Sequence, residues 1–438
     1  MASTKISFTP SGAGNLNKWT ISLWLKRAKV GVEQVIASCY ENSNYQTQIK
    51  FESDDQLYFN DENNGNTNGR IVSNAKYLDT NAWYHMVFIW DKDNGTSDDK
   101  IRMYVNGERV TSFSDTGNAP SASSTWNVNG QAMQFGAKVT SDYFDGAMSH
   151  IHFCDGYAYE PTEFGETDSV TGEWKIKTSP SVSYGTNGYF WLANNVATTD
   201  NSPNSNTFTA SGTLTKTEDN PSNIFCTFNP NMPMGGDCSF ENANTSFKCS
   251  TSNWRMFMGN LGITKGKYYW EFKPTVHSGG DFPQIGIVSV DAFDADDYIG
   301  NESSGYAYMH DGRKNVPAGA SSYGDTWTTN DIISVAFDMD NLKLYFAKNG
   351  VWQDSGDPTS GSTGTGAISV SSSFSCFAPA GSVYEGSGGA PIYQFNFGNG
   401  YFGTTQVSSA QSPDDGTGIF EHDVPASYKA LTTKGLNT

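Results

Sequence analysis

The chain has 438 residues, 45 of them Gly, with 14% aromatic and only 17% charged residues, a composition of short strands and many turns that argues against a helical protein. Acidic residues outnumber basic ones by 46 to 27, and the net charge of −19 disfavours both phosphate-driven nucleic-acid binding and docking on anionic lipid. The length is too great for one ordinary domain and predicts two or three.

The opening MASTKISFTPSG has neither the basic patch nor the apolar run of a secretory signal, and no stretch approaches the roughly 20 apolar residues of a membrane span. A protein folded in a cytosol is expected. Its cysteines (Cys39, Cys154, Cys226, Cys238, Cys249 and Cys376) are too dilute for a disulfide scaffold and form no C-x-x-C pair, so free thiols are expected, including the closely spaced Cys238 and Cys249.

In chain order, TISLWLKR alternates, with Ile21, Leu23 and Leu25 on a buried face and Ser22, Trp24 and Lys26 on the other. WYHMVFIWD, from Trp83, is apolar on both faces and predicts a strand in mid-sheet. IRMYVNGERV, from Ile101, carries Asn106-Gly107 between two alternating runs and predicts a tight hairpin. FGAK, from Phe135, and YFDGAMSHIHFCDG, from Tyr143, read as closing strands. Together these segments resemble, over roughly residues 4 to 160, a laminin-G-like or pentraxin-like domain, whose pattern runs from S-x-W-x-K through W-x-H and Y-V-N-G to a late F-x-G-x-(I/M) strand. The resemblance implies a concanavalin-like sandwich that binds glycans or proteins, often with calcium, through loops that vary; no ligand residue is carried over.

Between about Glu160 and Asn229 the chain turns polar. YGTNGYFWL, from Tyr184, then DNSPNSNTFT and DNPSNIFCTFNP, resemble a connector of phage structural proteins with lectin-like domains, although Pro203 replaces its Gly-rich centre. GYFWL is also open to pairing as a last strand of the first sandwich. From about Phe228 to Phe402 the sequence resembles a SPRY domain: GKYYWEFKP from Gly266, PQIGIVSV from Pro283, and NDIISVAFDMDNLKLYFAKNGVW from Asn330, with Asp338, Asp340, Lys348, Asn349 and Gly350 in the family's register. Periodicity supports that hairpin independently, since Ile333, Val335 and Phe337 alternate before a turn at Asp338 to Asn341, and Leu342, Leu344 and Phe346 return. CFAPAGSV and FNFGNGYF fit the last strands. The ending PASYKALTTKGLN is similar to that of phage SPRY-containing proteins, with Tyr428 and Leu431 as expected anchors.

Chemistry is sparse. The carboxylate triplet of sandwich-fold glucanases is matched only by Glu52, Asp54 and Gln56, which lacks the last carboxylate and is read as a solvated strand face. No H-E-x-x-H, G-x-S-x-G or phosphate-binding loop occurs. His85 is expected to be packed and hydrogen-bonded; His150 and His152 share a strand face without a third metal ligand nearby. The acidic loop at Asp91 fails the hand-loop template, Asp291, Asp294, Asp296 and Asp297 form a second acidic cluster read as a hydrated loop, and an irregular calcium site in either stays open. The long stretch from Asp291 to Tyr323 is the candidate recognition surface, with Tyr298, Tyr306, Tyr308, His310 and Arg313 as ligand-binding candidates; Tyr306 and Tyr308 are equally readable as strand residues packed on the sandwich.

The expected fold is therefore all-β: an antiparallel concanavalin A/laminin-G-like jelly roll over residues 1–160, a turn-rich connector over 161–227, an antiparallel SPRY-like sandwich over 228–402, and a tail over 403–438 docked on it. The expected function is a non-enzymatic phage virion surface protein, a tail fibre or appendage that recognises a host-surface glycan or protein. A capsid or tail decoration protein without receptor binding is the alternative, and a glycan depolymerase is less favoured. Assembly in the host bacterial cytoplasm is expected, with other virion proteins and further copies of the chain as partners, and with no nucleic acid, membrane insertion, catalytic residue or resident metal.

Overall fold

The computed structural model describes residues 4–193, 198–232, 238–277, 281–301, 304–384 and 390–436, and among these only Thr433–Leu436 is α-helical. The chain divides into two compact units, Met1–Lys216 and Thr217–Thr438.

In the first unit, the described residues form an eight-stranded and a six-stranded antiparallel sheet. The six-stranded sheet runs in the spatial order Tyr189–Trp191, Gly146–Asp155, Lys18–Arg27, Tyr84–Asp91, Ile101–Val105, Glu108–Arg109, so the doubly apolar Tyr84–Asp91 segment is central, as its composition implies. Ile21, Leu23 and Leu25 meet Phe59, Phe88 and Trp90 in the core. Asn106 and Gly107 take φ of 50° and 83°, the left-handed pair that a two-residue hairpin needs.

The opposite face of the same strands is covered, contrary to the one-sided reading: Ser22, Trp24 and Lys26 are all buried. Residues 156–184 cross that face, and Phe164, Tyr159, Val182 and Tyr184 pack with Val87, Ile89, Tyr104 and Cys154 in an outer cluster. The chain then returns to the sheets. Tyr189–Trp191 pairs with the Gly146–Asp155 strand and Thr209–Ser211 with Lys5–Phe8. The YGTNG turn depends on its glycines, because a Cβ at Gly185 would lie 2.0 Å from the Asp155 carbonyl oxygen and one at Gly188 1.9 Å from that of Tyr184. Asp200 closes the next loop, accepting from the amides of Phe190 (3.0 Å), Ser202 (2.8 Å) and Asn206 (2.8 Å), with Pro203 inside the turn.

In the second unit, one sheet is built around Lys267–Val276, Ile333–Asp338 and Lys343–Lys348. The other runs Arg255–Met258, Phe377–Val383, Gln284–Ser289, Gly305–Met309, Arg313–Val316, Gly319–Ser322 in space. Trp270, Phe272, Ile285, Ile287, Val335, Phe337 and Phe346 fill the core between them. Asp338 closes its hairpin turn by accepting from the Asn341 amide at 3.0 Å, while Lys267 pairs with it at 3.0 Å. The tail covers the outer face of this sheet: Phe420, Tyr428 and Ala430 pack on Tyr269, Ala336 and Tyr345, and Lys429–Ala430 adds a short parallel strand. Tyr428 and Leu431 are both buried.

Two further expectations are corrected. The stretch from Asp291 to Tyr323 is only partly loop, since Gly305–Met309, Arg313–Val316 and Gly319–Ser322 are strands that widen the sheet. Cys238 and Cys249 are disulfide-bonded. The expectation of free thiols weighed cysteine dilution, spacing and compartment, whereas strand pairing sets the two residues directly opposite one another.

Candidate functional site: an aromatic rim

Strand register assembles the site. In the second sheet Arg255 is opposite Val383, Gln284 is opposite both Ser382 and Met309, and all of these lie at one end of their strands. Residues just beyond those ends therefore meet: Trp254, Tyr384, Phe282 and His310. Backbone bonds fix the junctions, from Phe282 N to Tyr384 O (3.0 Å) and from His310 N to Pro283 O (3.3 Å).

The rings form a continuous row. Tyr298 lies 4.7 Å from Trp254, Trp254 5.7 Å from Tyr384, Tyr384 6.1 Å from Phe282, and Phe282 5.7 Å from His310. Phe282 is 42% exposed and the other four rings are half-buried. Polar groups border the row. Arg255 donates to the Trp254 carbonyl at 2.9 Å and pairs with Asp296 at 2.7 Å; Asp297 accepts from the Tyr298 amide at 2.8 Å and from the Asn301 side chain. Behind His310, His277 lies 5.2 Å away ring to ring, with Asp281 3.7 Å from its Nδ1. Burial holds both imidazoles below their ordinary pKa.

The structure brings Tyr298 and His310 of the sequence-predicted residues into this rim. Arg313 lies at the same sheet end, exposed and paired with Asp311. Tyr306 and Tyr308 do not belong to it: at 4% and 0% exposure they are core residues. Alternation along Gly305–Met309 turns both rings inward, where Tyr306 Oη accepts from the Ser371 amide and Tyr308 Oη donates to the Asp325 carbonyl. Sequence reasoning missed Trp254, Phe282 and Tyr384. Phe282 and Tyr384 each stand one residue outside a strand that the sequence predicts, a position that was itself a signal, whereas the Arg255–Met258 strand beside Trp254 was not predicted.

Residues 2–163 match the family described as the Concanavalin A-like lectin/glucanases superfamily (Laminin_G_3), and residues 267–398 match the SPRY domain family. The chain carries a concanavalin A-like domain followed by a SPRY domain. Similar solved structures include the SPRY domain of human HERC1, at 18% identity and a TM-score of 0.31, covering 38% of this chain and 96% of that one. The TRIM65 PSpry domain matches at 11% identity and a TM-score of 0.29, covering 39% and 91%. A SAP-like pentraxin from Limulus polyphemus matches at 18% identity and a TM-score of 0.24, covering 34% and 75%. Both kinds of domain are typically non-catalytic binding domains.

Elsewhere in the SPRY domain a cleft of about 240 Å³ is lined by Ser334, Ala347, Gly350, Trp352, His422 and Asp423. Ser334 is held at 2.8 Å by the Tyr269 hydroxyl. That hydroxyl also reaches the buried Glu271, which accepts from Asn396 Nδ2 and from the amides of Glu421 and His422. Burial pushes the Glu271 carboxyl up to about 7 against the pull of these donors. Its role is to tie the tail to the sheet. In the concanavalin A-like domain, Glu52 and Asp54 lie in the hairpin turn between Tyr45–Phe51 and Gln56–Asn63, correcting their reading as a strand face; Glu52 pairs with Lys50 and Asp54 accepts from the Gln56 amide. His85 is buried between Trp24 and Trp174, with both ring nitrogens engaged. Among the described residues no three His, Cys, Asp or Glu side chains come together with metal-ligand spacing.

Proposed function

We propose that this chain is a non-enzymatic binding protein of the bacteriophage virion surface, which recognises a host-surface glycan or protein through the aromatic rim of its SPRY domain. The observation that carries the reading is the row of partly exposed rings that strand register brings to one sheet end. A flat ring takes the C–H face of a pyranose, and the bordering Asp296, Asp297 and Asn301 offer groups for its hydroxyls; the same rings would anchor a protein loop. The phage assignment is supported by the resemblance of the connector and the tail. Absence of catalysis is supported by the turn position of Glu52 and Asp54, which do not project side by side from a strand. Other virion proteins and further copies of the chain are the proposed partners in the particle.

The test is adsorption of the purified full chain to host cells. Trp254→Ala and Tyr384→Ala are each expected to weaken adsorption at least about ten-fold, the scale of a central aromatic contact, with little change in melting temperature. Tyr308→Phe, deep in the core, should leave adsorption alone. Full adsorption by both rim variants, with intact melting, would overturn the proposal.

A further inference from the structure

Residues 156–184 lie over the outer face of the six-stranded sheet, packed through Tyr159, Phe164 and Val182 and bonded through Thr20 to Tyr157 and Tyr159, and two imidazoles add bonds of their own. Trp174 Nε1 donates to His85 Nδ1 at 2.9 Å, and His152 Nδ1 lies 2.9 Å from the Tyr184 hydroxyl. An indole nitrogen can only donate, so His85 Nδ1 must be unprotonated, and Nε2 then carries the proton toward Ser22 Oγ, 2.9 Å away. The Trp174 ring sits in a slot cut by two glycines: a Cβ at Gly107 would come within 2.6 Å of it and one at Gly165 within 2.5 Å. His152 is packed against Phe190 at 4.0 Å and Phe164 at 5.1 Å.

We infer that residues 156–184 form an acid-released cover, in which protonation of His85 breaks its bond to Trp174 and a charge on His152, enclosed by Phe190 and Phe164, disfavours closure, so that the segment lifts while the sandwich core beneath stays folded. A proton on His85 Nδ1 would set two N–H groups against each other at 2.9 Å, so the closed cover and the charged ring exclude one another. Among the described residues no unpaired carboxylate compensates the charge, since burial and like-charge neighbours are the causes acting on these rings. From the Lys18–Arg27 strand the rings meet Ser22 and Trp24; from Gly146–Asp155, the titratable neighbours are His150 and Cys154; from Ile101–Val105, Tyr104 and Arg102; and from the cover itself, Tyr159, Tyr184 and Glu160. Glu160 is taken by Arg102, and Glu166 and Asp168 by Lys175.

The sign follows from burial. It holds His85 down to about 3 and His152 well below its ordinary value, with His150 and His85 adding like-charge repulsion at His152. Closure is therefore fully favoured above the ordinary histidine pKa of about 6.5 and is lost as pH falls toward the closed-state values, by about ten-fold per pH unit for each ring.

Hydrogen exchange of the full chain, corrected for the intrinsic rate, tests this. Between pH 7 and 4.5, protection of residues 157–184 is expected to fall at least about 100-fold while the Tyr84–Asp91 strand keeps its own. His85→Gln presents an acceptor and a donor without a titratable ring, so its cover should respond to pH less steeply. Trp174→Phe, which leaves the sheet untouched, should open the cover at neutral pH. Loss of cover and strand together would overturn the inference. So would a Trp174→Phe cover as protected as the natural one, or an unchanged pH response in His85→Gln.

Discussion

Replacing Asp55 by Ala is expected to destabilise the concanavalin A-like unit by about 3–5 kcal/mol, the scale of breaking one side of a buried ion pair. Arg27 has no exposed side-chain surface, and its guanidinium bonds Asp55 at 2.8 Å and the Tyr77 carbonyl, with its carbon 4.0 Å from the Phe51 ring centre. Asp55 also accepts from the Gly31 amide at 2.8 Å, so the same carboxylate ties down the loop after the Lys18–Arg27 strand. Removing it strands a cation that desolvation already disfavours, since burial lowers the Arg27 pKa against the pull of Asp55. Asp55 has φ of 71°, a conformation that Asn adopts more readily than Ala. Asp55→Asn should therefore lose distinctly less, and chemical denaturation of both variants separates the charge effect from the backbone effect. A negligible loss in Asp55→Asn beside the full loss in Asp55→Ala would show that the backbone, not the ion pair, sets the cost.

The second large effect is expected at Glu271. Glu271→Ala leaves Tyr269, Asn396 and the Glu421 and His422 amides without their shared acceptor, a cost of about 3–5 kcal/mol, or roughly 10 °C in melting temperature for a unit of this size. Tail amides should lose hydrogen-exchange protection before the core does, because two of the four donors belong to the tail. The wild-type carboxyl also sets a pH dependence. Its folded pKa of about 7 is raised above the ordinary value, so its contribution is fully present below about 4.5 and is lost as pH rises through 7. The SPRY unit should thus gain stability from this group on mild acidification, while the histidine-held cover of the other unit loses it. A melt of the SPRY unit whose pH response is the same in wild type and Glu271→Ala would contradict the assignment.

Much of the fold was legible because its signals are local. Asn106-Gly107 sets a hairpin by its own backbone preference, and Ile333 to Phe337 shows its face by alternation. What was not legible depends on segments distant in sequence. Trp24 and Ala336 stand at outward positions of alternating strands, and nothing nearby says that residues 156–184 and the tail will cover them. An apolar residue at such a position is the trace of a cover, and Trp24 could have been read that way. The Cys238–Cys249 pair and the rim follow from register, which period-two patterns leave open until partners are known. Tyr306 and Tyr308 were attractive as aromatic residues in a long insertion, but the insertion folds as strands and their alternation places them inside.

Fluorine NMR of the fluorotryptophan-labelled full chain tests ligand contact at the rim most directly. Trp254 is identified by the resonance lost in Trp254→Phe. On addition of purified host-surface polysaccharide, that resonance is expected to shift or broaden while those of Trp352, by the tail cleft, and Trp174, in the cover, stay in place. An unmoved Trp254 resonance, with a response at another tryptophan or at none, would contradict it.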